Sequence, residues 1–342
     1  MAAGTNQKLK IIYLREFLFR NTDENNGKTI PEIIKYLEDN EISAERKSIY
    51  DDIEKLNLYY PDSKIEKYKK NRKTYYYIKD REFKLAELKL TVDAISSSKF
   101  ITETKTYELI NKIKRYASLE ETKNLQRQVH LVGRVKTDNE LVFETVDIIH
   151  EAIAKDKKIK FHYFHWNVDK EKVLGREGEF YTLSPWAMCW DDEKYYLVAF
   201  DDKDRENPQN ALRHYRVDKM IDIELVDCNR EGKEEFDKFD VTAHLNKSFG
   251  MFSGKESKVR LRLKNELAGV IIDRFGRDKI LVKVDDEHFE VQVDVYVSEQ
   301  FLGWVLGLGD GAQIVGSPEV VKMMEEKVRR LQNKYLKDDN NL

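Results

Sequence analysis

The sequence predicts an α+β protein built from several domains. Three observations carry that expectation. The chain has 342 residues, more than one hydrophobic core usually serves. Apart from a hairpin pattern at 64–79, its apolar pattern keeps a helical period to about residue 154 and changes to a strand period from Lys157. From Val259 onward strand and helix patterns alternate, which marks a further α/β unit.

Composition narrows the function. Hydrophobic residues make up 41% and charged residues 36%, with a formal net charge of −3, so nucleic-acid contact must come from local patches. No run of ~18 apolar residues is present, so no spanning helix is expected. Met1 to Lys10 lacks an apolar core, so no secretory signal is expected. Cys189 and Cys228 lack metal-ligand spacing and fit a reduced, cytoplasmic setting.

Ile11, Leu14, Phe17 and Leu18 recur at helical spacing. Thr29 can cap a second helix, with Pro31 in its first turn and Ile33, Ile34 and Leu37 on its apolar face. A third helix is expected from Ile42 to Leu56, with Ile49, Ile53 and Leu56 inward. Strands are expected over Lys64–Lys69 and Lys73–Lys79, joined by a basic turn at Lys70-Asn71-Arg72. Seven cations between Lys64 and Lys79 stand against Glu66, a local net of +6.

Three helices and a basic hairpin form the winged helix-turn-helix plan, here over residues 7–80. In that plan the third helix enters the major groove by its N-terminal residues. The candidate DNA contacts are therefore Arg46, Lys47, Ser48 and Tyr50 on the helix, and Lys69, Lys70, Arg72 and Lys73 on the hairpin. Hairpin cations neutralise phosphates, which gives salt-dependent affinity without sequence information. Tyr75, Tyr76 and Tyr77 are expected to pack the hairpin.

Residues 81–154 read as a helical connector, with a polar stretch from Glu120 to Gln128 and a helix over Val142–Ala154. Its apolar faces either pack on their own chain or dimerise. Residues 155–230 hold five expected strands: Ile159–Phe164, Phe180–Trp190, Tyr195–Phe200, Leu212–Val217 and Ile221–Val226. Five short strands in so few residues suggest a small SH3-like or Sm-like barrel. A linker over 231–257 leads to a C-terminal unit over 258–337. Its expected order of strands and helices, βαββαβ with an added helix, is the ferredoxin-like signature.

Several residues in this order resemble the WYL-domain regulators of bacteria. They are Phe161-His162-Tyr163, Leu183-Ser184-Pro185-Trp186, Tyr195-Tyr196-Leu197 for the namesake tripeptide, and Leu212-Arg213-His214-Tyr215-Arg216-Val217-Asp218-Lys219. Ser48-Ile49-Tyr50-Asp51-Asp52-Ile53 is similar to the family's recognition helix, and Phe249-Gly250-Met251-Phe252-Ser253-Gly254 to its connector into a C-terminal WCX extension. Tyr195 stands in place of tryptophan, Lys219 in place of arginine, and Asp51 in place of a frequent arginine. The resemblance implies an Sm-like WYL barrel that binds a nucleotide or single-stranded nucleic-acid effector and tunes a DNA-binding homodimer. Carried over by position, the effector-binding candidates are Tyr163, Arg213, His214, Arg216 and Lys219. Strand alternation sets Arg213 and Arg216 on opposite faces unless a bulge intervenes.

Two functions follow. One is a ligand-responsive transcription factor. The other is an accessory protein that binds RNA or single strands and modulates a defence nuclease. An enzyme is not expected: no motif pairs a nucleophile with a base, and no cofactor is implied. Gly307 to Gly311 follows a helix and precedes a strand, the reverse of a phosphate loop. His162 and His165 lack a completing ligand for a metal.

Overall fold

The computed structural model describes residues 7–128, 135–201, 203, 212–250 and 254–336. Most of the polar 201–210 loop, and Met251 to Ser253 of the connector motif, lie outside the described residues. Two compact units divide the chain, Met1–Glu140 and Leu141–Leu342.

The first unit begins with α1 (Lys10–Asn21), α2 (Ile30–Asp39) and α3 (Arg46–Tyr59). Thr29 and Glu32 form a capping box at α2, with Pro31 in its first turn. Leu14, Leu18, Ile33, Leu37 and Ile49 are fully buried and share one core with Ile53 and Leu56. α3 starts at Arg46, four positions after the expected Ile42, because Glu45 is its N-cap. Ile42 still fills the core, but from the turn. β1 (Ile65–Lys70) and β2 (Lys73–Ile78) pair antiparallel with Lys70 opposite Lys73. Asn71 and Arg72 between them have φ of 49° and 60°, the positive pair that a type I′ hairpin turn needs.

α4 (Leu85–Ser97), α5 (Glu103–Ile113) and α6 (Leu119–Gln128) follow. α6 occupies the stretch expected to be only polar. Its start is a second capping box: Glu121 N–H donates to Ser118 Oγ at 3.1 Å, and Ser118 N–H to Glu121 Oε2 at 2.8 Å. Leu125 then buries against Leu88 and Ala117. Ser118 Oγ donates to Asp23 at 2.8 Å, and Arg81 donates to the Phe19 carbonyl at 2.7 Å, so these helices are tied to the end of α1.

The second unit opens with α7 (Val142–Ala154), which packs on the sheet that follows it rather than closing the connector. That sheet holds β3 (Lys157–Trp166), β4 (Lys172–Leu174), β5 (Tyr181–Asp191), β6 (Lys194–Phe200), β7 (Leu212–Arg216) and β8 (Met220–Asn229). The order is β4-β3-β5-β6-β7, with β8 also on β3. Six strands stand where five were expected, the short β4 being the addition. Among the described residues no ladder joins β7 to β8, so the expected barrel is a curled half-barrel. Leu197, Val198 and Ala199 of the Tyr195–Phe200 run are fully buried, as its apolar character required.

The expected 231–257 linker contains two short helices, α8 (Lys233–Asp237) and α9 (Val241–Lys247). Beyond them come β9 (Lys255–Lys264), α10 (Ala268–Phe275), β10 (Leu281–Lys283), β11 (His288–Val297), α11 (Glu299–Gly307), β12 (Ala312–Gly316) and α12 (Pro318–Tyr335). The four strands form an antiparallel sheet in the order β10-β11-β9-β12. Val259, Leu261, Leu263, Val291, Val293 and Val295 alternate into a core completed by Ile271, Phe301 and Val305 of the helices. No described helix is long and apolar enough to cross a membrane.

Gly232 precedes α8 with φ of 81°, and a Cβ there would lie 2.2 Å from Phe200 Cγ. Gly232→Ala therefore forces both a left-handed alanine and a shift of a buried ring. The expected destabilisation is about 2–4 kcal/mol, read as a lower urea midpoint. An unchanged midpoint would contradict this packing.

Candidate functional site

The first candidate surface is the start of α3 with the hairpin. No acidic residue lies in the first turn of α3, and the N-cap Glu45 side chain makes no capping hydrogen bond, so the first-turn N–H groups are left for a phosphate. Arg46 and Lys47 are exposed. Arg46 Nε donates to Tyr50 Oη at 2.8 Å and fixes that ring, whose centroid lies 6.3 Å from Tyr76. Ser48 is partly buried, and its hydroxyl is engaged by Lys10, which also pairs with Asp52 at 2.8 Å. Lys69, Lys70, Arg72 and Lys73 are all exposed around the hairpin turn. Among the described residues Lys47, Lys69, Lys70 and Arg72 have no ion pair, whereas Lys79 is held by Glu66 at 3.0 Å. Tyr75 stacks on Tyr68 at 5.3 Å, Tyr76 is buried, and Tyr77 Oη donates to Glu66, so the three tyrosines shape the hairpin.

The second surface lies on the half-barrel. Alternation along β7 leaves Arg213 exposed on the face of buried Tyr215, while His214 and Arg216 take the other. The candidates are thus split. Arg216 aims its guanidinium at buried Asp218, with bonds of 3.0 and 2.7 Å. Burial opposes the Arg216 charge, but the hydrogen bonds and charge of Asp218 overcome it and raise the pKa. Tyr163 Oη accepts the Arg216 backbone N–H at 3.2 Å, and burial pushes its phenol up. Lys219 sits in the 3₁₀ turn after β7, and burial, then the charge of Arg216, lower its pKa.

His214 turns toward α9. Its ring stacks on His244 at 4.5 Å between centroids, and burial followed by His244 pushes its pKa down to about 4. It is neutral near pH 7 and offers no charge to an anion. Its unfolded value of 6.5 lies above the folded one, so the unfolded chain takes up the proton first as pH falls. Stability is full above pH 6.5 and declines toward pH 4. The expected loss over that window is about 2 kcal/mol, and His214→Phe, which keeps the stacking, should remove most of it. Urea titrations at both ends of the window read this directly; equal losses in both proteins would contradict it.

Four residues not predicted as site residues, Tyr181, Tyr215, Arg176 and Asp201, complete the half-barrel surface. Tyr181 stacks on Phe161 at 5.6 Å, and Tyr215 meets Phe161, Tyr163 and Tyr181 edge-on at 5.8, 5.5 and 5.8 Å. Arg176 lies 4.0 Å over the Tyr181 ring and pairs with buried Asp201. Among the described residues, the shielded Tyr215 Oη and Arg176 Nη1 have no hydrogen-bond partner. Burial, then the charge of Asp201, push the Tyr215 phenol well up, so it remains a donor. Rings with a guanidinium beside them suit a base and its phosphate. The one sequence signal was the Gly175…Gly178 bracket around Arg176, which itself has φ of 51°. His162 pairs with Asp222 at 3.0 Å, and no metal-holding group of three His, Cys, Asp or Glu occurs among the described residues.

Comparison with known proteins adds two family matches, to the WYL domain over residues 144–225 and to the WCX domain over residues 255–332. Among solved structures, proteasome accessory factor B/C (PafBC) of Arthrobacter aurescens matches 95% of this chain and 48% of its own, at 14% identity and a TM-score of 0.29. The chain thus spans about half the length of that protein. A CRISPR Cas-related protein matches 89% of this chain and 77% of its own, at 13% identity and a TM-score of 0.36. Neither superposition is close enough to bear on function. No curated protein matches the chain. Tyr195, Tyr196 and Leu197 fall inside the matched WYL range; Tyr196 and Leu197 are buried in β6, and Tyr195 meets Trp190 edge-on. The chain is a WYL-domain protein that carries a WCX domain after its WYL domain.

Proposed function

We propose that this protein is a cytoplasmic transcriptional regulator that binds duplex DNA as a homodimer and answers to a nucleotide or single-stranded nucleic-acid effector. The observation that carries this reading is the set of exposed cations without ion pairs, Lys47, Lys69, Lys70 and Arg72, on a helix start and its hairpin. Three helices and that hairpin support a winged helix-turn-helix over residues 7–80. The half-barrel, with its 3₁₀ turn before β8, supports an Sm-like WYL fold, and the β10-β11-β9-β12 order supports a ferredoxin-like WCX fold.

α3 is the reading helix, with Arg46, Lys47 and Tyr50 toward bases or phosphates and Ser48 held by Lys10. Lys69, Lys70, Arg72 and Lys73 take phosphates. The effector binds the half-barrel on the face that carries Arg213, where Arg176 and Tyr181 join it beside Tyr215 and Tyr163; Arg216, paired with Asp218 on the other face, Lys219 after it and His214 support that surface rather than contact the effector. Fluorescence anisotropy on the duplex upstream of the protein's own gene, a scrambled duplex and a single strand tests the assignment. Preference for the upstream duplex of at least about 100-fold supports a regulator. Equal binding to all duplexes, with tighter binding to single strands, would instead describe an accessory single-strand-binding protein.

A further inference from the structure

The sheet of the WCX domain turns cations away from its core. On β9, Val259, Leu261 and Leu263 point inward, so Lys258, Arg260 and Arg262 point outward. Arg262 is committed, with bonds of 3.0 and 2.8 Å to Glu290 across the ladder. Arg260 approaches Glu290 only at 3.4 Å and stays 56% exposed. α12 packs against β12 and adds Lys322 and Arg329 to the same place. Lys258, Arg260, Lys322 and Arg329 thereby line one groove of about 710 Å³. Glu325 and Glu326 also line it, so four cations face two carboxylates.

Two features make this a shaped site rather than a scatter of surface charge. Gly316 pairs with Arg260 at a register shift in the β12–β9 ladder, and a Cβ there would lie 2.8 Å from Arg260 Cβ and 3.2 Å from its Nε. The bare backbone leaves room for the Arg260 stem. Among the described residues, the side chains of Lys258, Lys322 and Arg329 have no ion pair or hydrogen bond. No aromatic ring lines the groove, so stacking supplies nothing and charge must do the selecting.

We propose that this groove binds a phosphate group, carried by a small phosphate ester or by a nucleic-acid backbone. Four cations within a nucleotide-sized groove fit a multiply charged phosphate better than a carboxylate, because arginine and lysine can share its oxygens. The site is separate from the half-barrel surface and does not depend on that reading.

Lysine acetylation of the full chain, read by mass spectrometry, tests it with inorganic pyrophosphate and a ten-residue oligothymidylate as probes. At several times its Kd, a bound probe should slow acetylation of Lys258 and Lys322 about fivefold, with exposed Lys238 as the unaffected control. Protection by both probes assigns the site to the phosphate group itself, and protection by the oligothymidylate alone assigns it to a phosphodiester chain. Arg329→Glu, on the exposed surface of α12, should weaken probe affinity about tenfold and so remove most of the protection, with unchanged circular dichroism. Equal acetylation with and without both probes overturns the proposal, as does protection that survives Arg329→Glu. Because the readout is at Lys258 and Lys322, failure here and failure of the half-barrel site register on different residues.

Discussion

Lys47→Glu combined with Arg72→Glu lowers affinity for duplex DNA by about 100-fold at near-physiological salt, while the fold is kept. Each lost phosphate contact reduces the salt slope by about 1, and reversing the charge adds repulsion. Both side chains are exposed and without ion pairs among the described residues, so neither substitution strands a buried partner. Arg72 already holds a φ of 60°, and glutamate pays a similar backbone penalty there, so the hairpin turn survives. Anisotropy across a salt series with circular dichroism as control reads the effect. Tight binding retained by the folded double variant would remove α3 and the hairpin from the interface.

Phe161→Ala has the largest expected effect on stability, about 3–5 kcal/mol. The Phe161 ring is fully buried, and the rings of Tyr163, Tyr181 and Tyr215 lean on it at 6.4, 5.6 and 5.8 Å. Its removal leaves a cavity and frees the ring set proposed to hold the effector. Phe161→Leu refills much of the volume, costs about 1–2 kcal/mol, and separates lost packing from lost stacking geometry. Urea unfolding checks both variants. A midpoint for Phe161→Ala close to the parent would mean that these rings do not form the centre of the half-barrel.

Much of the fold was legible because local signals agreed with tertiary need. Ile49, Ile53 and Leu56 at i, i+4, i+7 mark the buried stripe of α3, and the apolar run at Tyr195 marks a strand buried in the sheet. Where the signal was short or polar, the reading missed. Ser118-x-x-Glu121 announces α6, but the residues after it are mostly polar and no apolar stripe follows. β4 spans Lys172 to Leu174, too few residues for alternation to show. The hairpin cations were legible because seven sit together in sequence. The aromatic and arginine set on the half-barrel was legible only in part: Phe161 and Tyr215 fell within the WYL-like motifs, but Arg176, Tyr181 and Asp201 come from separate elements and meet them only through the sheet. The charge of Arg216 looked available from its sequence, yet Asp218 two positions later accepts from its Nε and Nη2.

In the proposed regulator, effector and operator binding are linked. Linkage requires the effector to bind one state of the protein better than the other, and a typical coupling of 1–3 kcal/mol changes operator affinity about 5–150-fold. The most direct measurement is anisotropy on the upstream duplex, repeated with short single strands and with linear and cyclic nucleotides at saturating concentration. One additive class should shift the Kd by at least about fivefold in the parent protein, and Arg176→Ala with Arg213→Ala should abolish the shift without changing affinity in its absence. An affinity unmoved by every additive, or a shift that persists in that double variant, would contradict the account.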